Sequence, residues 1–305
     1  SVQQTSDGGY IITGYNNWSH LTLRSYAWLI KTDGNGNVVW EKSFVEPGAG
    51  YCVQQISDGG YIIVGNSPVW LIKTDVTGST VWTTIFTETD KDYYGYVVQQ
   101  TTDGGYIIIG EAYVGYNDWD FWLLKTDSAG HKIWSKTFGG TGYEECSSGQ
   151  QTSDGGYILA GSTSDTNSGL SDVWLIKTDN NGDMEWNKTF GGADDEWGHA
   201  VQQTIDGGYI ITGETIWIDP SILLIKTDGD GNTMWENIFE ENRHDYGTAI
   251  QETTDGGYII IGQTWINDST GYDILLMKTD DEGNKIWYRT FGKTKFDEGH
   301  SVQQT

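Results

Sequence analysis

Proline and cysteine are nearly missing from this chain, at three and two in 305 residues, and basic side chains are scarce at 17 against 43 acidic ones. Each shortage removes a class of explanation. Cys52 and Cys146 lie in different parts of the chain and match no metal-ligand spacing, so neither a disulfide framework nor a zinc site is expected. A formal charge of −26 repels polyanions, which argues against a nucleic-acid partner. Apolar runs such as residues 106–110 fall far short of the roughly 20 needed to cross a bilayer as a helix, so no membrane insertion is expected. No window carries an amphipathic period of 3.6 residues either, which leaves little for helices.

What the chain does have is glycine and aromatics: 42 Gly, 18 Tyr and 15 Trp. They recur in order. Asp-Gly-Gly-Tyr begins at Asp7, Asp58, Asp103, Asp154, Asp206 and Asp255, in steps of 51, 45, 51, 52 and 49 residues. Each copy continues through a second glycine-ended apolar run, a loop of variable length, a Lys-Thr-Asp and a tryptophan, the lysines being 31, 73, 125, 177, 226 and 278 and the tryptophans 40, 82, 134, 186, 235 and 287. Within a copy the pieces read as four strands: Val-Gln-Gln-Thr, then Tyr-Ile-Ile after a tight Asp-Gly-Gly turn, then the run into Lys-Thr-Asp, then the tryptophan strand after a second tight turn. The second and third strands are apolar on both faces, as expected of a sheet covered on both sides. Four-stranded units at this period predict an all-β, six-bladed β-propeller with four antiparallel strands per blade and repeats of about 50 residues. The expected blades are residues 1–48, 49–93, 94–142, 143–195, 196–244 and 245–296 of a single propeller domain. Residues 301–305 repeat the Ser-Val-Gln-Gln-Thr of residues 1–5, so 297–305 reads as a duplicated first strand at the ring seam, available for self-association.

The repeated run of Asp-Gly-Gly-Tyr-Ile, Trp-Leu-Ile-Lys-Thr-Asp, Phe-Gly-Gly and Val-Gln-Gln-Thr resembles the repeats of large bacterial and archaeal cell-surface and secreted proteins. That resemblance implies an extracellular or cell-surface location. It spans the chain and carries no catalytic residue. A more distant likeness is to quinoprotein-type propeller repeats, whose turn also leads to a tryptophan; residues 75–82 are one residue shorter than that turn. A sialidase needs three converging arginines, and here there are only Arg24, Arg243 and Arg289. The turns 33–37, 179–183 and 228–232 space oxygens as calcium loops do but lack the glutamate at position 12, so they read as turns. No cofactor is expected, with calcium the one ion the turns leave open. No metal site and no catalytic motif is found, and the chain is expected not to be an enzyme.

The strand order puts the two tight turns at one end of each sheet and the variable loops at the other, where function is expected. At the entrance to the first strand, Tyr51, Tyr96, Glu145, Glu196, His199, Asp245, Glu298 and His300 are expected to form an acidic rim. Their alternative role is capping loop amides. Trp18, Tyr113, Tyr116, Trp119, Trp217, Trp265 and Tyr272 lie on the loops between the second and third strands, and the alternative for them is shielding of the sheet ends. Aromatic faces beside carboxylates suit a sugar or a cationic group. The leading expectation is a non-catalytic binding or scaffold module for a glycan or protein partner. The alternatives are an extracellular glycan-cleaving enzyme using rim carboxylates and a structural spacer in a surface filament or coat.

Overall fold

The structure, a computed structural model, describes residues 1–17, 25–66, 68–87, 91–115, 118–164, 169–216, 220–240, 244–267, 271–293 and 296–304. Every regular element among them is a strand. The first repeat gives β1 (Val2–Gln4), β2 (Tyr10–Asn17), β3 (Ser25–Thr32) and β4 (Val38–Pro47); the second gives β5 (Gly50–Gln55), β6 (Tyr61–Gly65), β7 (Val69–Thr74) and β8 (Thr80–Phe86). The third gives β9 (Asp92–Gln100), β10 (Tyr106–Gly115), β11 (Asp118–Thr126) and β12 (Lys132–Phe138); the fourth gives β13 (Tyr143–Gln151), β14 (Tyr157–Ser164), β15 (Ser171–Thr178) and β16 (Met184–Phe190). The fifth gives β17 (Asp195–Gln203), β18 (Tyr209–Ile216), β19 (Pro220–Thr227) and β20 (Thr233–Phe239); the sixth gives β21 (Asp245–Glu252), β22 (Tyr258–Asn267), β23 (Gly271–Thr279) and β24 (Lys285–Phe291). No helix among the described residues is long and apolar enough to cross a membrane.

The expectation of six separate four-stranded blades is corrected by the ladders. Four sheets are four-stranded, β1–β4, β5–β8, β17–β20 and β21–β24, while β9–β16 belong to one eight-stranded sheet. The period of a sequence counts strands but does not say where a ladder stops. Ladder bonds are made by backbone groups that every residue other than proline carries. The chain divides into two compact units, Ser1–Gly140 and Thr141–Thr305.

Local chemistry fixes both turns. In the first, Thr204 N–H donates to Gly208 O and Gly208 N–H to Asp206 Oδ1, at 2.9 and 3.0 Å. In the second, Asp228 Oδ1 accepts from the amides of Asp230 and Asn232. The turn aspartates that resemble calcium ligands, Asp33, Asp179 and Asp228, accept backbone N–H groups on Oδ1 and an asparagine side-chain amide on Oδ2. The Lys-Thr-Asp lysine reaches the first turn. Lys226 Nζ donates to Asp206 Oδ2 at 2.8 Å and to Thr227 O at 3.0 Å, with the ammonium stem buried. Lys31, Lys125, Lys177 and Lys278 pair in the same way with Asp7, Asp103, Asp154 and Asp255. Each lysine ties the end of the third strand to the turn between the first two.

In the first unit Ile11, Leu29 and Phe44 pack against Val53, Ile63, Trp70 and Ile72 of the next sheet. The opposite face of that sheet, through Ile62, Val64 and Leu71, packs on Val98, Ile108 and Trp122. In the second unit Ile158, Leu175 and Phe190 meet Val201, Ile211 and Leu223, and Ile210 and Leu224 meet Ile250, Ile260 and Met277. Each fully buried aliphatic side chain contributes roughly 1.5–3 kcal/mol, which is why the middle strands are apolar on both faces. The tryptophans close the same interfaces. Trp40 lies edge-on to Tyr61, Trp82 to Tyr106, Trp186 to Tyr209 and Trp235 to Tyr258, with centroids 5.7–5.9 Å apart.

Candidate functional site

The first strand of each of five repeats carries a β-bulge at one position. The register jumps past Tyr51, Tyr96, Ser147, His199 and Thr248, leaving each without a residue opposite on the second strand. A bulge bends its strand and re-aims the extra side chain. The glycine before it has a packing cause: a Cβ at Gly198 would stand 2.8 Å from Gly161 O. Sequence reading places Tyr51, Tyr96 and His199 at this entrance as members of a rim, and the bulge is the feature that sets them apart from their strands.

In the second unit the bulge gathers a polar and aromatic cluster. His199 Nε2 lies 3.1 Å from Glu214 Oε1 on β18. The His199 ring is 6.4 Å from Tyr246, whose hydroxyl donates to Gln263 Oε1 at 2.7 Å. Tyr246 stands edge-on to Tyr272 at 5.8 Å, and Tyr272 to Trp265 at 5.0 Å and Phe296 at 5.2 Å. His300 Nε2 lies 2.9 Å from Glu298 Oε2 at the exposed edge. Burial, with Tyr272, Glu214 and Glu298 adding to it, pushes the Tyr246 hydroxyl up to about 12. Glu214 and Glu298 therefore act on the same ring that Tyr272 packs against.

A second cluster lies in the first unit. Tyr51 and Tyr96 meet edge-on at 5.8 Å, and the Tyr96 hydroxyl donates to buried Glu111 at 3.1 Å. Trp119 packs against Tyr94 at 5.3 Å and Tyr113 at 5.2 Å. Beside them, Pro68, Val69, Phe86, Lys91, Tyr93 and Tyr94 line a cleft of about 360 Å³. Trp18, Tyr116 and Trp217 lie outside the described residues.

Of the remaining rim acids, Glu196 and Asp245 are built into the scaffold. Glu196 accepts from Thr215 Oγ1 at 3.0 Å and from Gly192 N–H at 3.1 Å, and it borders a hollow of about 170 Å³ that includes Asp194 and Glu236. Burial pushes its carboxyl up against those two bonds, with Asp172 and Asp194 adding to the rise. Asp245 is fully buried. Glu145 is exposed, and the strand register makes its neighbour Glu144 the counterpart of Glu196: Glu144 pairs opposite Thr163 and accepts its hydroxyl, as Glu196 does with Thr215.

Sequence reading missed Glu111, Glu214 and Gln263. Each directly follows the glycine that interrupts an apolar second strand, and a single polar residue inside such a run is the signal that marks them. Asn66 holds the same place in the second repeat, where its Oδ1 accepts from Gly95 N–H at 2.6 Å.

No family model matches the chain, and no curated protein does. Solved structures do, at low identity. The WD40 domain of Neurospora crassa Pan2 superposes with a TM-score of 0.56 at 11% identity, over 91% of this chain and 76% of that one. YCF48 bound to D1 peptide gives 0.53 at 12%, over 95% and 83%. The extracellular domain of a hybrid two-component system from B. thetaiotaomicron gives 0.54 at 11%, over 99% of this chain and 38% of that one. The fold is an all-β propeller.

Proposed function

We propose that the chain is a non-catalytic binding module, working outside the cell or at its surface, that takes a glycan or a protein segment at the bulge end of its sheets. The observation that carries this reading is the repeated bulge. It turns one side chain in each of five repeats out of its ladder, and in His199 with Glu214 and Tyr96 with Glu111 it sets that side chain beside a polar residue of the second strand, with aromatic rings alongside. Such an arrangement offers hydrogen bonds from carboxylates and ring edges to hydroxyls or to cationic groups. Among structures similar in fold, one is in complex with a peptide and one is an extracellular domain, which supports both parts of the reading. An excess of carboxylates keeps polyanions away and leaves neutral sugars and basic segments as ligands.

The test is binding of the full chain to an array of neutral and basic oligosaccharides and to lysine-rich and arginine-rich peptides. His199→Ala and Trp265→Ala are each expected to weaken a positive signal at least tenfold with the melting temperature held. A chain that binds nothing on either array, or whose binding ignores both substitutions, overturns the reading.

A second reading, glycan cleavage, has one observation in its favour: the Glu196 carboxyl is pushed up and borders a hollow, as a general acid requires. Release of reducing ends that vanishes in Glu196→Gln would establish it over the first.

A further inference from the structure

The second repeat departs from the others where its hairpin ends. The pairing of β6 with β7 stops at Gly65 opposite Trp70, whereas β10 and β11 run past the matching pair, Gly110 with Trp122, through Glu111 with Phe121, Ala112 with Asp120 and Tyr113 with Trp119. The connection that follows departs the other way. Residues 86–95, from the end of β8 into β9, are one residue longer than their counterparts 190–198, 239–247 and 291–299. A short hairpin beside a longer one, edged by a longer connection, leaves room between them, and the cleft of the first unit lies there.

Its lining is unlike the matching place in the second unit. Pro68, Thr87 and Tyr93 stand where the junction of the fourth and fifth repeats has Asp172, Gly191 and Glu196. At that junction the two carboxylates crowd the glycine, and a Cβ at Gly191 would run into Asp172 Oδ1 and Glu196 Oε2. With a proline and a tyrosine in place of the acids, the space is about 360 Å³ against about 170 Å³.

The cleft's tyrosines are braced by tryptophans of the longer hairpin. Tyr93 lies on Trp122 with centroids 4.7 Å apart and planes at 41°, and Tyr94 on Trp119 at 5.3 Å and 46°. Rings held by other rings offer fixed faces, so a ligand has little to order. Lys91, whose charge also acts on Asp120, and Asp92 put one cation and one anion on the same lining. Together they favour neither a cationic nor an anionic ligand. A neutral polyol uses both, because a hydroxyl donates to a carboxylate and accepts from an ammonium. The volume falls near the lower end of the ~300–1,000 Å³ of ligand clefts, which admits a small ring and not a folded partner. A pyranose meets all of these demands, with a C–H face for the aromatic rings and a hydroxyl edge for the charged pair.

We propose that this cleft is a sugar subsite that takes one neutral pyranose unit, its C–H face against Tyr93 and Tyr94 and its hydroxyls on Lys91 and Asp92. The site is built from the first unit alone and does not depend on the His199 cluster.

Saturation-transfer NMR of the full chain with the methyl glycosides of glucose, galactose, mannose and N-acetylglucosamine tests this. At least one glycoside is expected to receive saturation from the aromatic protons, most strongly at the C–H groups of one ring face. Lys91→Ala and Asp92→Ala are each expected to raise its dissociation constant at least tenfold, as loss of a charged hydrogen-bonding partner does. Thr87→Trp, at an exposed position of the lining, is expected to fill the cleft and abolish the transfer. All three variants should keep the melting temperature of the parent. Absence of transfer to all four glycosides, or binding that survives both Thr87→Trp and Asp92→Ala in folded protein, overturns the proposal. So does preferential binding of methyl glucuronide or of methylammonium, either of which would make the cleft an ion site.

Discussion

Gly231 lies against the ring of Trp186: a Cβ at 231 would stand 2.7 Å from Cζ3 and 2.8 Å from Cη2, on a backbone held at φ +76°. One residue thus answers two demands, a left-handed turn and room for the neighbouring tryptophan. Gly231→Ala is expected to destabilise the second unit, and Trp186→Ala to cost about 3–5 kcal/mol through the cavity it leaves beside Tyr209. Urea denaturation followed by far-ultraviolet circular dichroism checks both. If the midpoint of Trp186→Ala matched the parent, the ring would have no packing role.

Lys226 ties Asp206 and Thr227 O together from a buried position. Lys226→Met keeps most of the apolar stem and removes the charge. The expected loss is about 1–3 kcal/mol, because the Thr227 carbonyl and the carboxylate lose a charged donor. The same substitution should release Asp206, which burial pushes up but which Lys226, Thr204 and Gly208 together bring down to about 2. Carbon-detected titration of the aspartate carboxyls in the variant should show Asp206 back in the ordinary range, and an unmoved titration would show that Thr204 and Gly208 suffice.

That a lysine lies in every Lys-Thr-Asp is plain in the sequence; that it reaches back to the aspartate of the preceding turn is not, because about 20 residues separate the pair. The strands and turns were legible because short apolar runs, the Asp-Gly-Gly turns between them and the fifty-residue step are written in the sequence itself. The division of ladders was not, and the eight-stranded sheet of β9–β16 replaces the separate blades that the period implied. The site was half legible. Tyr51, Tyr96 and His199 were visible because a glycine precedes each, yet their partners Glu111 and Glu214 come from the neighbouring strand, paired by a register that no single segment encodes.

Acid should act on this protein in two steps of opposite sign. Burial pushes the carboxyls of Asp172 and Glu196 above their ordinary values. Both are strained when charged, so stability is expected to rise as the pH falls from neutral through their raised values. The turn aspartates behave oppositely. Asp255 is held at about 2 by Thr253, Lys278 and Gly257, and Asp103, Asp154 and Asp206 reach about 2 by similar bonds acting against burial. Their contribution is complete above the unfolded aspartate value near 3.8 and is lost as the pH falls through about 2. Melting temperature from pH 7 to pH 2 should therefore pass through a maximum on the acidic side of neutrality and fall below pH 4. A monotonic decline from pH 7 would assign no weight to Asp172 and Glu196.

His199 and Gly198 are neighbours with opposite expectations, and together they separate scaffold from site. Gly198 stands opposite Gly213 in the ladder and has no room for a side chain, with Gly161 O at 2.8 Å and Val173 Cγ1 at 3.1 Å from a Cβ. Gly198→Val forces β17 away from the preceding sheet and is expected to lower the melting temperature by several degrees. His199 is bulged out of the ladder, half-buried, and joined to Glu214 and the Tyr246 ring. His199→Ala removes a surface contact and leaves the backbone bonds alone, so the melting temperature should move by no more than a degree or two. Differential scanning calorimetry of the two variants reads the contrast directly. Equal and large losses would make His199 part of the framework and remove it from the binding surface.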